Sequence, residues 1–314
     1  MKYICDYKEG DRISGIYLCK NKHSAIAKNG RPYETVSLQD KTGMVDGKIW
    51  DPNSAGISDY ESLDYVQLGG EVTSFQGALQ FNIKRLRVAQ EGEFDPADYL
   101  PVSKKSIPGM YKELLDLIDT IENTYLKQLL DAFFREDEEF IKTFQKSSAA
   151  KSVHHSFVGG LLEHTLSVTK LCDYYCSTYP MLKRDLLLTS AMLHDIGKVR
   201  EFSAFPENDY TDEGNLLGHI VMGAEMTGEK ACRIEGFPPV LLNEVKHCIL
   251  AHHGELEFGS PKRPSLMEAF ALNLADNTDA KMETFTEVLE QTAETGWLGF
   301  NKFLNNNIRP SGLV

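Results

Sequence analysis

None of the six cysteines forms a CxxC pair; they are scattered at positions 5, 19, 172, 176, 232 and 248. They read as reduced thiols of a cytosolic protein, and a chain of 314 residues can build its core without disulfide staples. Long apolar runs are also missing. Nothing approaches the roughly 20 residues of a membrane span, and the opening "MKYICDYKEGDRISG" lacks the apolar centre of a secretion signal. A cytoplasmic protein with no membrane partner is expected. Basic charge is scarce: 33 Lys and Arg stand against 46 Asp and Glu, a net charge of −13. This argues against a protein that coats nucleic acid along its whole surface. Internal repeats and low-complexity tracts are absent too.

The acidity is unevenly shared. Residues 1–90 hold twelve Lys and Arg against eleven Asp and Glu, leaving about −14 on the remainder. In that near-neutral front part, residues 11–20, 32–38, 43–50, 66–76 and 79–88 are rich in Ile, Val, Tyr, Phe and Thr and are separated by turn-forming stretches. Five such strands, with an insertion after the third long enough for a helical turn, form the pattern of an OB-fold barrel. Tyr17, Tyr33, Trp50, Phe75 and Phe81 offer aromatic faces, and Lys84, Arg85 and Arg87 add charge on the last strand. Single-stranded nucleic acid is held by such a mixture, although barrel filling claims most aromatics. Trp50, Phe75, Lys84 and Arg85 are the candidate strand contacts.

Residues 91–110 are polar, hold three prolines and read as a linker. Beyond them Leu114, Leu117, Ile118, Ile121, Leu126, Leu129, Leu130 and Phe133 recur at helical steps. Helical patterns run to about residue 290, leaving 291–314 as a tail with large apolar residues and no clear period. The expected class is multidomain α+β, a five-stranded β-barrel followed by an all-α domain at 111–290.

Eight of nine histidines fall between His154 and His253. His164 shares a helix face with Phe157, Leu161, Val168, Leu171 and Tyr175. In "LLLTSAMLHDIGKVREF" an apolar helix carries His194 and Asp195 side by side. His219 opens a helix, His252 and His253 close another, and Asp276 lies on a further apolar segment. Taken singly, each is readily a satisfied core residue. Together, five imidazoles and two carboxylates need many separate partners unless they converge, and imidazole with carboxylate suits Mn, Fe, Co or Zn. A dinuclear site bridged by Asp195 explains the adjacent pair, and two cations there would activate a water and neutralise charge developing on a phosphodiester.

The segments "LLEHT", "LHDIGK", "LLGHI", "LAHHGELEFGSP" and "LADNTDAK" resemble, in order, the motifs of HD-domain metal-dependent phosphohydrolases. With the barrel pattern ahead of them, the sequence resembles the YhaM family of 3′→5′ exoribonucleases along nearly its whole length. The resemblance implies a first metal on His164, His194, Asp195 and Asp276, and a second on Asp195, His219, His252 and His253. It places Lys198 at a phosphate or leaving oxygen, so Asp195 and Lys198 are the candidate catalytic pair. Lys151, His154 and His155 precede the first ligand helix and either reach substrate or pack its entry. His247 lies off the ligand face.

The expected activity is release of nucleoside 5′-monophosphates from the 3′ end of single-stranded RNA, with single-stranded DNA a further substrate class. Two divalent ions are expected, Mn2+ first, with Co2+, Fe2+ or Zn2+ as alternatives. The tail docks on the core or on a neighbouring subunit, so a homo-oligomer is among the expected partners. The alternatives are an HD-type cyclic-dinucleotide or nucleotide phosphohydrolase, and a nucleic-acid-binding module with a vestigial metal domain. The cyclic-dinucleotide reading is weakened because "HHGELEFGSPKRP" stands where its GYP signature belongs.

Overall fold

The structure is a computed structural model that describes residues 2–27, 30–75, 78–95, 98–151, 155–290 and 295–312. It divides into two compact units, Met1–Val102 with Phe205–Glu207, and Ser103–Ala204 with Asn208–Val314.

In the first unit, β1 (Arg12–Ile26), β2 (Pro32–Asp40), β3 (Gly43–Ile49), β4 (Tyr65–Phe75) and β5 (Ala78–Val88) close a barrel in the order β1-β2-β3-β5-β4. Among the described residues of these strands, β3 and β5 pair in parallel and the other neighbours antiparallel. This is the OB-like barrel. The first strand outruns the expected 11–20 because it serves two neighbours. Arg12–Leu18 pairs with β4, Leu18–Ile26 pairs with β2, and an irregularity between Cys19 and Asn21 marks the change. Such a bulge lets one strand turn a barrel corner.

Strand alternation sorts the five aromatics. Tyr17 and Phe81 point inward, are fully buried and fill the barrel core with Val36, Leu38 and Leu68. They are not available to a ligand. Trp50 and Phe75 are exposed, and the Trp50 ring lies 5.6 Å from that of Tyr33. Lys48 Nζ sits 5.1 Å from the Tyr33 ring centre. Lys48 pairs in register with Asn82 on the parallel strand β5. Lys84 Nζ is 4.0 Å from Glu71, Arg87 is paired with Glu93, and Arg85 lines a cavity of about 270 Å³ with Ser14, Gln67 and Gly69.

The insertion between β3 and β4 forms turns and no helix; Ile57 bridges to Leu86 instead. Part of the segment read as a linker packs on the barrel. Phe94 stacks on Tyr65 at 3.9 Å, and Tyr99 and Leu100 are buried. Its few apolar side chains override its polar composition.

The second unit holds α1 (Ile107–Asp119), α2 (Thr124–Phe134), α3 (Glu138–Phe144), α4 (Gly160–Thr178), α5 (Arg184–Leu193), α6 (Lys198–Glu201), α7 (Asp212–Leu217), α8 (His219–Ala231), α9 (Pro239–Ala251) and α10 (Met267–Glu290). The apolar pattern from Leu114 to Phe133 is split between two helices, because the Asn123 side chain accepts from the N–H groups of Tyr125 and Leu126 and so starts α2. One apolar core unites α4, α5, α9 and α10. In the tail, β6 (Gly299–Asn301) and β7 (Asn306–Ile308) pair antiparallel, with Ile308 buried and Trp297, Phe300 and Phe303 exposed. Among the described residues, no helix is long and apolar enough to cross a membrane.

Candidate metal centre

Every residue of α5 from Leu186 to Leu193 is buried, so the helix runs through the core and delivers the residues at its C-terminal end to the interior. His194 and Asp195 stand there, with His194 0% and Asp195 2% exposed. A tight turn leads into α6. A Cβ on Gly197 would lie 2.1 Å from the His219 carbonyl oxygen, so only glycine lets the start of α8 approach this turn. His164 comes from the buried face of α4, His252 and His253 from the end of α9, and Asp276 from α10.

Asp195 lies at the middle. Its Oδ2 is 3.4 Å from His194 Nε2 and 3.5 Å from His164 Nε2; its Oδ1 is 3.4 Å from His219 Nε2 and 3.7 Å from His252 Nε2. His164 Nε2 is also 3.2 Å from Asp276. Donor atoms of His164, His194 and Asp276 lie within 4.8 Å of one another, as do those of His219, His252 and His253.

The outward nitrogens explain the orientation. His194 Nδ1–H donates to the Ala191 carbonyl at 2.7 Å, His252 Nδ1–H to that of Ile249 at 2.7 Å, and His253 Nδ1–H to that of Phe258 at 2.9 Å. His164 Nδ1–H donates to Asp279 at 2.7 Å and His219 Nδ1–H to Glu201 at 2.9 Å. With each Nδ1 committed as a donor, all five Nε2 atoms turn inward, as in histidine metal sites. Asp195 Oδ1, His219 Nε2 and His252 Nε2 are buried with no hydrogen-bond partner. Orphaned buried acceptors carry an unmet cost that a cation removes. The donor set fits a divalent metal.

Electrostatics differ across the cluster. Burial opposes charge on His164, but hydrogen bonds to Asp276 and Asp279 prevail and push its pKa up to about 10. A proton then occupies the side where a cation fits. Burial, with the neighbouring His253 and His194, holds His252 well below the usual imidazole range; burial and His219 lower His253. These two offer lone pairs. Burial would raise the Asp195 carboxyl, yet the Lys198 ammonium and the imidazoles of His194 and His219 hold it well below the ordinary range.

Lys198 is no exposed helix lysine: its Nζ lies 2.7 Å from Asp195 Oδ2. His155 is 2% exposed and donates to Asp279 at 3.0 Å, which places it behind His164 and not open to solvent. Lys151 is exposed and paired with Asp209. His154 lies outside the described residues. His247 Nε2 accepts from the Ser265 N–H at 2.9 Å and anchors a loop. Trp50, Phe75, Lys84 and Arg85 belong to the barrel unit.

Sequence reasoning missed Asp279 and Glu201. Asp279 accepts from His155, His164 and Ser167 at once. Its one sequence signal is its position three residues after Asp276 on the same helix. Glu201 had none, since its partner His219 is 18 residues away.

The HD-domain family matches residues 161–281. The 3′-5′ exoribonuclease YhaM of Geobacillus sp. (strain WCH70) is 35% identical over 293 residues, covering 92% of this chain and 89% of that protein. Among solved structures, a p204 HINb domain is 20% identical over 28% of this chain and 46% of its own, at a TM-score of 0.24. A replication protein A heterotrimer bound to single-stranded DNA is 20% identical over 27% of this chain and 62% of its own, at 0.20. Likenesses that slight carry neither fold nor function. The near full-length relative does carry a family: the chain belongs to the YhaM family of 3′-5′ exoribonucleases.

Proposed function

We propose that this chain is a metal-dependent hydrolase that shortens single-stranded RNA from its 3′ end and releases nucleoside 5′-monophosphates, with single-stranded DNA as a second substrate. The observation that carries the reading is the gathering of five inward Nε2 atoms and two carboxylates into adjoining groups around buried Asp195, which directs one oxygen to each side. Two divalent ions, Mn2+ foremost, fit that division: His164, His194 and Asp276 would hold one, His219, His252 and His253 the other, and Asp195 both. Ions bound there supply water activation and charge neutralisation for the phosphodiester.

The chain's own groups do the rest. Asp195 orients the two sides, Asp279 and Glu201 fix the imidazole rings, and Lys198 presents an ammonium toward the reacting phosphate. In the reaction water attacks phosphorus, the bond to O3′ of the preceding nucleotide breaks, and that oxygen gains a proton. Exposed Trp50 beside half-buried Tyr33, with Phe75, Lys84 and Arg85, grips the strand by stacking and charge. The reading also takes the protein as cytoplasmic and self-associating, the latter through the exposed Trp297, Phe300 and Phe303 of the tail; light scattering measures it.

The test uses end-labelled linear RNA and the same RNA circularised, with Mn2+ and with chelator. Monophosphates from linear RNA only, lost under chelation, are expected. Cleavage of circular RNA at the linear rate means an endonuclease and overturns the reading. Asp195→Asn should lower turnover at least about 100-fold, since it weakens the hold on both cations, with the helical circular dichroism unchanged.

A further inference from the structure

The turn after the His252–His253 pair exposes what a folded protein normally buries. Leu256–Phe258 forms one 3-10 turn in which Phe258 is 70% and Leu256 55% exposed. The turn is nonetheless firmly held. The Phe258 carbonyl accepts from His253 Nδ1 at 2.9 Å, and its N–H donates to Glu255 at 3.1 Å. Gly259 stops the turn at φ +85°. Buried Ser260 directs its hydroxyl to the carbonyls of Leu250 and Lys262. The Asn273 side-chain amide donates to the His252 carbonyl at 2.7 Å.

A second apolar pair flanks the same mouth. Leu216 and Leu217, 82% and 47% exposed, end α7 directly before Gly218 and His219. The His219 and His253 rings are 5.3 Å apart, so both turns lead to ligands on the same side of the cluster.

Resting on the exonuclease reading above, we infer that this apolar rim receives the base of the substrate's 3′-terminal nucleotide, with Phe258 as its stacking face. A phosphodiester at the histidine cluster puts the attached base within one nucleotide's reach of the rim. A rigid aromatic there adds binding with little ordering entropy. Every base has a π face, so the platform accepts all four. Glu255, on the same turn, is ion-paired with Arg263 at 2.8 Å.

The test follows degradation by the full chain with Mn2+ of two RNA oligonucleotides, one ordinary and one whose 3′-terminal residue is abasic. Phe258→Ala should raise KM on ordinary RNA about 5- to 150-fold, the range of one lost stacking contact. It should change KM on the abasic-ended RNA less than about twofold, and Phe258→Tyr should restore ordinary behaviour. Metal content and particle mass should match the wild type. Equal losses on both RNAs overturn the platform alone. So does a loss of bound metal, which would make the turn a support for His253, or a change in mass, which would make it a subunit contact. Linear RNA left intact by the wild type overturns the exonuclease reading itself.

Discussion

Asp279 Oδ2 accepts the Nδ1–H of His164 at 2.7 Å, and that bond decides which way the His164 ring faces. The carboxylate is itself immobilised by His155 and Ser167. Burial opposes its charge, but the hydrogen bonds from His155 and His164 keep its pKa below the ordinary range, so it remains an acceptor. Asp279→Asn retains shape but offers one acceptor oxygen where several donors converge. Loss of such an outer partner typically weakens metal affinity 10- to 100-fold. Elemental analysis after dialysis against graded chelator measures this; metal retention equal to wild type would show that His164 needs no such support.

Gly197 makes a second prediction. Its missing Cβ is what admits the His219 carbonyl. Gly197→Ala has to push the start of α8 away, at about 1–3 kcal/mol, the range for overpacked interiors. The denaturant midpoint should fall, and the His219 side of the cluster should lose metal before the His164 side. A variant of unchanged stability and metal content would mean that α8 gives way freely.

The third prediction concerns pH. The metal-free His164 has its pKa pushed up to about 10, and metal needs the Nε2 that carries the proton. Binding at pH 7–8 should therefore release about one proton from this group, and affinity should weaken about tenfold per unit as pH falls. Calorimetry in buffers of different ionisation enthalpy counts the proton. The sign for folding is opposite. A raised imidazole pKa contributes stability to the metal-free protein that is complete below about 6.5, the unfolded value, and is lost as pH rises through about 10. Chelated protein whose melting temperature rises steadily from pH 7 to 10 would contradict this.

For the barrel, Trp50→Ala should cost about 1–3 kcal/mol in binding single-stranded RNA while leaving the salt dependence nearly unchanged, because stacking releases few counterions. Lys84→Ala and Arg85→Ala should each flatten the log–log salt slope by about 0.7. Fluorescence anisotropy at several salt concentrations separates the two effects. A Trp50 variant that binds as tightly as wild type would remove the aromatic pair from the strand site.

Local pattern determined much of this protein. β-branched and aromatic composition between turn-forming stretches located all five barrel strands, and helical spacing located the cores of α1, α2, α4, α5 and α10, since burial on one face leaves a period in the sequence. The seven metal-ligand candidates were legible because ionisable side chains on apolar helices conflict with their surroundings, and only a shared partner resolves so many conflicts at once. What the period could not report was which side of the barrel wall a given aromatic takes near an irregularity, so Tyr17 and Phe81 stood beside Trp50 until the strands were paired. Nor could it report partners distant along the chain. Asp279 reaches back 115 residues to His164 and Glu201 meets His219 across 18, and both are set only when α4, α6, α8 and α10 pack. A carboxylate beside an imidazole has no local sequence signature. Its energy comes from low dielectric and fixed geometry, and these exist only in the assembled core.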